Sequence, residues 1–185
     1  MLNANQTKEK LKEALLALMH TTDADKITAV DLARQAEVSR ATLYRYYDSV
    51  DEVPREIEDE FLEGMRDQSR YYISAPIDLK HLGVPYPAFV AIADYHRNNK
   101  AVYLLLSGAH GSGRFVYRAH KIVREFYCGK LAYEGLVQKD MDVYIEFAMA
   151  GSDAEIRYWL EKRPDISCEE AAVIIQKVLY GPFVC

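Results

Sequence analysis

The sequence predicts an all-α protein with a small N-terminal head of three helices and a larger helical C-terminal domain. Apolar residues recur at spacings of three and four along the chain. No segment alternates convincingly with the period of two that is typical of a strand. Capped helix starts, in which a Ser or Thr precedes an acidic residue by three positions, occur at several predicted boundaries. The length of 185 residues suits one domain, or a small domain fused to a larger one.

The head contains three predicted helices. An apolar stripe predicts the first over about 7–21, and its members are Leu11, Ala14, Leu15 and Leu18. Thr28 and Asp31 form a capping box that begins a second, short helix. Ser39 caps a third helix that runs to about Tyr46. The head therefore ends near residue 47.

The same signals divide the rest of the chain, 48–185, into further helices. They predict a helix from the capping box Ser49–Glu52 toward Tyr71, followed by a connection from Ser74 to Pro87. Two helices are predicted next, over about 88–98 and 100–107, and a loop from Gly108 to Gly113 follows them. The last three predicted helices lie over about 114–133, over about 140–162, and from a capping box at Ser167 to Tyr180.

Composition excludes several classes of protein. No apolar run approaches the roughly 20 residues of a membrane span, and the N-terminus has no apolar signal segment, so we expect a cytoplasmic protein with no membrane partner. The cysteines are Cys128, Cys168 and Cys185. Their odd number and wide spacing argue against a disulfide framework or a zinc site. We expect no metal and no cofactor.

Charge is distributed unevenly. The net charge is −5, but residues 1–50 carry seven basic and seven acidic residues and are neutral. The remainder carries sixteen basic and twenty-one acidic residues. An acidic body with a neutral, locally basic head can still bind nucleic acid through that head.

The segment from Ile27 to Tyr47 predicts two short helices joined by a tight turn. A shared core with the first helix is expected from Leu32, Ala33, Val38, Leu43 and Tyr47. Ala33 is small where two helices approach closely, and Val38 is the apolar plug of the turn.

The outward face of the third helix suits a DNA major groove. It carries Arg40, Ala41, Thr42, Tyr44, Arg45 and Tyr46. Arginine can bond guanine bidentately, and Ala and the Thr methyl can contact thymine methyls. The helix starts at Thr28 and Ser39 offer free amides to phosphate oxygens. We therefore predict a double-stranded DNA partner, with ordinary surface and core packing as the alternative role for these side chains.

This segment resembles the DNA-binding domain of TetR-family regulators. The resemblance rests on Ala33-x-x-Ala36-Glu37-Val38-Ser39 followed by Thr42-Leu43-Tyr44-Arg45-Tyr46-Tyr47. With the first helix it covers about 45 residues, and the turn, plug, cap and aromatic pair all fall in register. It implies a homodimeric helix-turn-helix regulator, more commonly a repressor, that binds a pseudo-palindromic operator and is released by a small-molecule effector.

Two positions depart from the family pattern. Glu37 stands where the family often has Gly, and in a left-handed backbone Glu would cost on the order of 1 kcal/mol. The family also often has a Lys between the third and fourth helices that meets a phosphate, where this chain has Asp48-Ser49-Val50. One phosphate contact is therefore in doubt.

The resemblance also implies two sites in the C-terminal domain. The candidate effector residues are Tyr95, Tyr103, His110 and Tyr127. Aromatic core packing is the alternative for the tyrosines, and a polar surface or satisfied interior position is the alternative for His110. Members of the family pair their last two long helices across a two-fold axis. The candidate dimer residues are Ile156, Trp159, Leu160, Val173 and Ile174, with core packing again as the alternative.

Two other classes of function stay open at this stage. The chain could be a helical protein-interaction module with a degenerate helix-turn-helix, as the missing Lys and the acidic body suggest. A small helical enzyme is disfavoured, because no catalytic arrangement of Ser, His, Asp, Cys or paired carboxylates occurs at a telling spacing. We therefore expect no enzyme activity and name no catalytic residue.

Overall fold

The computed structural model describes residues 3–70, 76, 78–136 and 139–181, and within them every regular element is a helix. The α-helices are α1 (Ala4–Leu18), α2 (Ala29–Gln35), α3 (Arg40–Tyr46), α4 (Glu52–Ser69), α5 (Pro87–Asn98), α6 (Lys100–Leu106), α7 (Gly113–Tyr133), α8 (Met141–Lys162) and α9 (Cys168–Tyr180). Two short 3-10 helices lie at Ala24–Lys26 and Leu79–His81. The predicted all-α fold is confirmed.

The boundaries agree with the sequence pattern where side chains cap the helices. The capping boxes at Thr28 and Ser167 are both present, with Asp31 and Glu170 as their acidic partners. The Ser39 hydroxyl accepts the Thr42 amide at 3.0 Å. These local bonds satisfy amides that a helix leaves free in its first turn.

Two helix starts differ from the prediction. The first helix begins three residues earlier than expected, because Asn3 and Gln6 form a capping box of their own. At α4, the Glu52 carboxylate accepts the amide of Asp48 at 2.9 Å, one residue before the predicted cap. The predicted end of that helix at Tyr71, part of the connection from Ser74 to Pro87, and Cys185 lie outside the described residues.

The chain divides into two compact units. The first comprises Met1–Leu62 and Ala101–Tyr117, and the second comprises Glu63–Lys100 and Arg118–Cys185. Both α4 and α7 contribute residues to each unit. The functional boundary predicted after residue 47 is a different division and stays a prediction.

In the first unit, α1, α2 and α3 pack against one another around a small apolar core. Of the five core residues expected in the helix-turn-helix, Leu32, Ala33, Leu43 and Tyr47 are buried, and Val38 is half-buried. Leu11 and Leu15 of α1 complete this core. The two short helices are therefore held by tertiary packing, since helices of seven residues are not stable alone.

In the second unit, α9 packs against both α5 and α8. Aromatic rings fill the contact with α5, where Phe89 lies 6.2 Å from Tyr180 in an edge-to-face arrangement. At the contact with α8, the absence of a side chain on Gly151 allows a close approach, because a Cβ there would lie 3.2 Å from Cγ1 of Val178. No helix among the described residues is long and apolar enough to cross a membrane.

Candidate nucleic-acid interface

The exposed face of α3 is formed by the residues that the sequence singled out. Arg40, Ala41 and Arg45 are exposed, and the Tyr44 side chain is 46 % exposed. Thr42 and Tyr46 are half-buried at the edge of this face. Leu43 points to the core with no exposed surface, so α3 divides into an inner apolar face and an outer face of cations and hydroxyls.

The cations of this face are available to an external partner. Neither Arg40 nor Arg45 forms an ion pair within the part of the chain that the structure describes. No acidic residue occurs from Ser39 to Tyr47. The face therefore carries a local positive charge on a chain whose net charge is negative.

The lysines of α1 have partners on the protein. Lys8 lies 2.8 Å from Glu56 and 4.8 Å from the centre of the Tyr47 ring. Lys12 is buried and pairs with Glu9, Glu56 and Glu60. Burial lowers the pKa of Lys12 and the three carboxylates raise it, with a net rise. These ion pairs hold α1 against α4, so Lys8 and Lys12 have acidic partners within the protein, whereas the arginines of α3 have none among the described residues.

Both residues predicted to present helix N-termini are exposed. The Thr28 hydroxyl accepts the Asp31 amide at 3.2 Å, and the Ser39 hydroxyl accepts the Thr42 amide. The hydrogen bonds to Asp31 hold the pKa of that carboxyl below its usual value. The start of α2 thus carries a negative carboxylate, whereas α3 has no acidic residue in its first turn. A carboxylate near a helix N-terminus is electrostatically unfavourable for a bound anion.

The structure describes both segments that depart from the family pattern, the turn at Glu37 and the segment from Asp48 to Val50. Glu37 lies in the left-handed region with φ of 51°, the conformation for which Gly is favoured. Val38 resumes the hydrogen bonding of the turn by donating its amide to the Ala33 carbonyl at 2.9 Å. No cation occurs at Asp48, Ser49 or Val50. The turn thus forms despite Glu37, and the Lys that the family often has before α4 is missing from this segment.

The four candidate effector residues are divided between the two compact units. Tyr103 and His110 belong to the first unit, and Tyr95 and Tyr127 belong to the second. The Tyr103 ring stacks on Phe61 at 5.8 Å. The buried Tyr127 donates its hydroxyl hydrogen to the Leu179 carbonyl. Tyr103 and Tyr127 are both buried in their own units, and the effector role of the four residues stays a prediction.

The second unit has a cavity of about 360 Å³ between the N-terminal end of α5, the preceding connection and α9. Its walls are mainly apolar and aromatic, formed by Leu82, Val84, Pro85, Tyr86, Phe89 and Tyr180. Asp78 and His81 lie at the edge as an exposed pair, 2.6 Å apart. The Gln176 side chain bonds the backbone of residues 82, 84 and 86 and so fixes the connection. Sequence reasoning missed this cavity.

The candidate dimer residues lie mostly inside their own chain. Ile156, Trp159 and Leu160 are buried, Val173 is half-buried, and Ile174 is 37 % exposed. The Trp159 indole donates to the Ile166 carbonyl at 3.0 Å, and its ring lies 4.8 Å from the Arg97 guanidinium. Their burial assigns the three residues of α8 to the core of the second unit.

From Val143 to Tyr158, a different face of α8 is apolar and exposed. This face is formed by Val143, Phe147, Ala150, Ala154 and Tyr158. Because successive residues of an α-helix are rotated by 100°, these five side chains lie within an arc of about 80°. Phe147 is 70 % exposed and Val143 is 66 % exposed. We call these five residues the α8 stripe. Consecutive members of the α8 stripe are four, three, four and four residues apart, a helical spacing that is visible in the sequence and could have identified this second apolar face.

Comparison with known proteins places the fold in a family. Residues 84–181 match the family model TetR_C_8, the "Transcriptional regulator C-terminal region". The chain is 25 % identical over 173 residues to the HTH-type transcriptional regulator YxbF of Bacillus subtilis (strain 168). That match covers 91 % of this chain and 43 % of the relative, so the chain spans less than half the length of the curated relative that it matches.

Solved structures share the fold over almost the whole chain. A TetR transcriptional regulator from Streptococcus agalactiae 2603V superposes with a TM-score of 0.64 at 20 % identity, covering 95 % of this chain and 94 % of that one. A TetR-like transcriptional regulator from Rhodococcus sp. RHA1 gives 0.65 at 12 % identity, covering 99 % and 98 %. FadR of Thermus thermophilus, a TetR-family repressor solved in complex with lauroyl-CoA, gives 0.55 at 17 % identity, covering 93 % and 92 %. The likeness to these structures is one of fold, and the family model, which spans more than half of the residues, assigns the lineage: this chain belongs to the TetR family of transcriptional regulators.

Proposed function

We propose that this chain is a homodimeric repressor that binds a pseudo-palindromic operator through α3 and is released by a small apolar effector. The observation that carries the DNA-binding part is the exposed, acid-free face of α3 with Arg40, Tyr44 and Arg45. Thr28, Ser39, Ala41, Thr42 and Tyr46 complete the proposed contact surface. The functional division into a head over 1–47 and a body over 48–185 is part of the proposal.

The helix-turn-helix fold determines how we propose that α3 of each subunit lies on the DNA. One α3 from each subunit lies in successive major grooves, with half-site centres about 34–36 Å apart or at a multiple of that distance. Arg40 and Arg45 reach base edges or phosphates, while Tyr44 and Tyr46 reach phosphates. Because the usual Lys before α4 is absent, affinity depends more heavily on α3.

The dimer is proposed to form through the α8 stripe. Phe147, Val143 and Tyr158 expose more than three fifths of their side chains on one face of a 22-residue helix. Two alanines of the same face allow close approach of a second helix. A second copy of the chain is the proposed occupant, because a two-fold axis pairs an apolar stripe with itself. Ile174 of α9 is exposed on the neighbouring helix and is proposed to extend this contact.

The effector is proposed to occupy the cavity between α5 and α9. A volume of about 360 Å³ falls in the range of small-molecule sites, and aromatic and aliphatic walls favour an apolar ligand. FadR of Thermus thermophilus was solved with lauroyl-CoA, so a protein of this fold binds a ligand with a long acyl chain. An effector can shift DNA affinity only by its differential affinity for two states of the dimer.

Selection from a random-sequence duplex pool, followed by titration at two salt concentrations, tests the DNA-binding proposal. We expect enrichment of a pseudo-palindrome and an affinity that falls steeply with salt, because phosphate contacts release counterions. Absence of enrichment at both salts would contradict it and favour the protein-interaction module.

Dodecanoate is a suitable probe for the effector proposal. We expect it to raise the melting temperature and to weaken operator binding by the wild-type chain. Leu82→Trp, which places a large ring in the cavity, should remove both effects. Wild-type responses in this variant would place the effector elsewhere.

A further inference from the structure

The connection between α6 and α7 is a compact turn, Ser107–Ser112, which we call the α6–α7 turn. A Cβ on Gly108 would lie 2.5 Å from the Leu104 carbonyl oxygen, and one on Gly111 would overlap the Leu106 carbonyl oxygen. The Gly111 amide donates to the Gly108 carbonyl at 3.1 Å. The two glycines therefore allow a tight backbone path that a larger residue would prevent.

One side of this turn binds the segment that leads into α2. The His110 carbonyl accepts the Ala24 amide at 3.0 Å. The His110 ring nitrogen Nδ1 lies 2.7 Å from Oδ1 of Asp23. Lys26 pairs with the same carboxylate at 2.5 Å. Backbone and side chain of a single residue thus hold the connection between α1 and α2.

The other side of the turn binds α4 through a buried carboxylate. The Glu58 side chain is 1 % exposed. The Ser112 hydroxyl donates to it at 2.7 Å, and Arg114 donates from Nε and Nη2 at 3.1 Å each. A bidentate pair of this kind fixes the relative orientation of its two partners.

An aromatic contact supports the pair. Phe61, one turn further along α4, lies 5.5 Å from Phe115 in an edge-to-face arrangement. The turn is therefore joined to both the α1–α2 connection and α4, which precede and follow the helix-turn-helix.

From these contacts we infer that the α6–α7 turn is a clamp that fixes the orientation of the helix-turn-helix for simultaneous binding of two half-sites. The clamp consists of His110 on Asp23 and Ala24, and of Ser112 and Arg114 on Glu58. This inference rests on the proposed function as a dimeric DNA-binding protein. It adds a positioning role for residues that contact no DNA.

The clamp has a specific consequence for affinity. When one head of a dimer is bound, the second binds at an effective concentration that depends on how closely its position matches the second half-site. A fixed head loses less freedom on binding than a mobile one. A single half-site has no such requirement. Weakening the clamp should therefore lower the affinity for the palindrome and leave the affinity for a single half-site nearly unchanged.

The test compares two duplexes, one with the selected pseudo-palindrome and one with a single half-site. The test variant is Glu58→Gln with Arg114→Gln, which replaces the ion pair by two amides of similar size. The control is Arg70→Ala, which removes a surface arginine directly after α4 that pairs with Glu63 and Asp67. We expect the double variant to bind the palindrome about tenfold more weakly and the half-site within about twofold of wild type. The control should match wild type on both.

His110→Ala provides a second variant that leaves the buried carboxylate paired. It should show the same selective loss, and it should tolerate one or two base pairs inserted between half-sites better than wild type. Wild-type affinity for the palindrome in both variants would overturn the inference. An equal loss on both duplexes would also overturn it, because the pair would then act in folding of the head. Failure of the wild type to bind any duplex would instead contradict the proposed function.

Discussion

The carboxylate of Glu37 lies 3.2 Å from the Nζ of Lys10, and the backbone that carries it has a φ of 51°. Its side chain is 82 % exposed, so the ion pair contributes little to stability. The left-handed backbone costs an L-residue roughly 1–2 kcal/mol. The turn of the helix-turn-helix therefore contains a strained residue whose only ion pair among the described residues is a weak surface one.

Replacing Glu37 by Gly should raise the free energy of unfolding by about 1 kcal/mol, because Gly adopts this conformation without strain. Urea unfolding measures the change. Glu37→Ala is the matched control, since it removes the same ion pair and keeps the strain. A Gly variant no more stable than the Ala variant would show that the backbone at this position is relaxed.

Tyr44→Ala and Arg40→Ala should weaken DNA binding in different ways. The loss for Tyr44→Ala should be similar on all sequences, because a phosphate contact carries no sequence information. Arg40→Ala should cost about 1–3 kcal/mol and relax the preference at one base position. Titration against the selected operator and its single-base variants measures both.

Tyr117→Ala is the control for these two variants. It removes a tyrosine that is 71 % exposed on α7 and should leave DNA binding unchanged. Wild-type affinity in both α3 variants would contradict the proposed interface.

Phe147→Asp should dissociate the dimer, because a charge would be buried at the centre of the α8 stripe. Analytical ultracentrifugation should then give the mass of one chain, 21.2 kDa, instead of twice that mass. Tyr117→Asp places the same charge on another exposed aromatic position and should stay dimeric. If Phe147→Asp keeps the mass of wild type, the α8 stripe is not the dimer contact.

The stability of the protein should fall as the pH rises from about 5 to about 7 because of Glu155. Burial raises the pKa of this carboxyl from 4.5 to about 7, and its Oε2 has no hydrogen-bond partner among the described residues. In that pH interval the folded state holds a proton that the unfolded state has lost, so the contribution of the group declines as pH increases.

Glu155→Gln should accordingly be more stable than wild type by about 1–3 kcal/mol at pH 8 and nearly equal to it at pH 4.5. The midpoint of urea unfolding at the two pH values measures this difference. Glu161→Gln changes the same charge at an exposed position of the same helix and corrects for net charge. If the difference in stability between Glu155→Gln and wild type were the same at both pH values, Glu155 would be ionised in the folded state at both.

Sequence patterns predicted the helix-turn-helix well because its signals are local. Thr28 and Ser39 make their caps with residues three positions away, and the alternation of Leu43 with Arg40 and Tyr44 separates core from surface within two turns. The prediction for the start of α1 was wrong by three residues because Asn3 and Gln6 cap the helix with amide side chains. An amide pair satisfies the same free groups as the Ser–Glu version.

The C-terminal sites were harder to predict because the relevant information is tertiary. Helix α8 is apolar on two faces, and the sequence cannot say which one packs in its own chain. The sequence pattern predicts Ile156 and Trp159 as dimer contacts, whereas Phe147 and Tyr158 are the exposed side chains of this helix. Likewise, the sequence cannot show that Tyr127 is buried and donates its hydroxyl hydrogen to the Leu179 carbonyl.

Photo-crosslinking from α3 tests the central claim most directly. Tyr44 is replaced by benzoylphenylalanine, the dimer is mixed with the selected operator and irradiated, and the matched control carries the same replacement at the more exposed Tyr117. If α3 lies in the major groove, position 44 should crosslink to the operator and position 117 should not. Equal crosslinking from both positions, or none from position 44 while the operator is bound, would contradict an interface on α3.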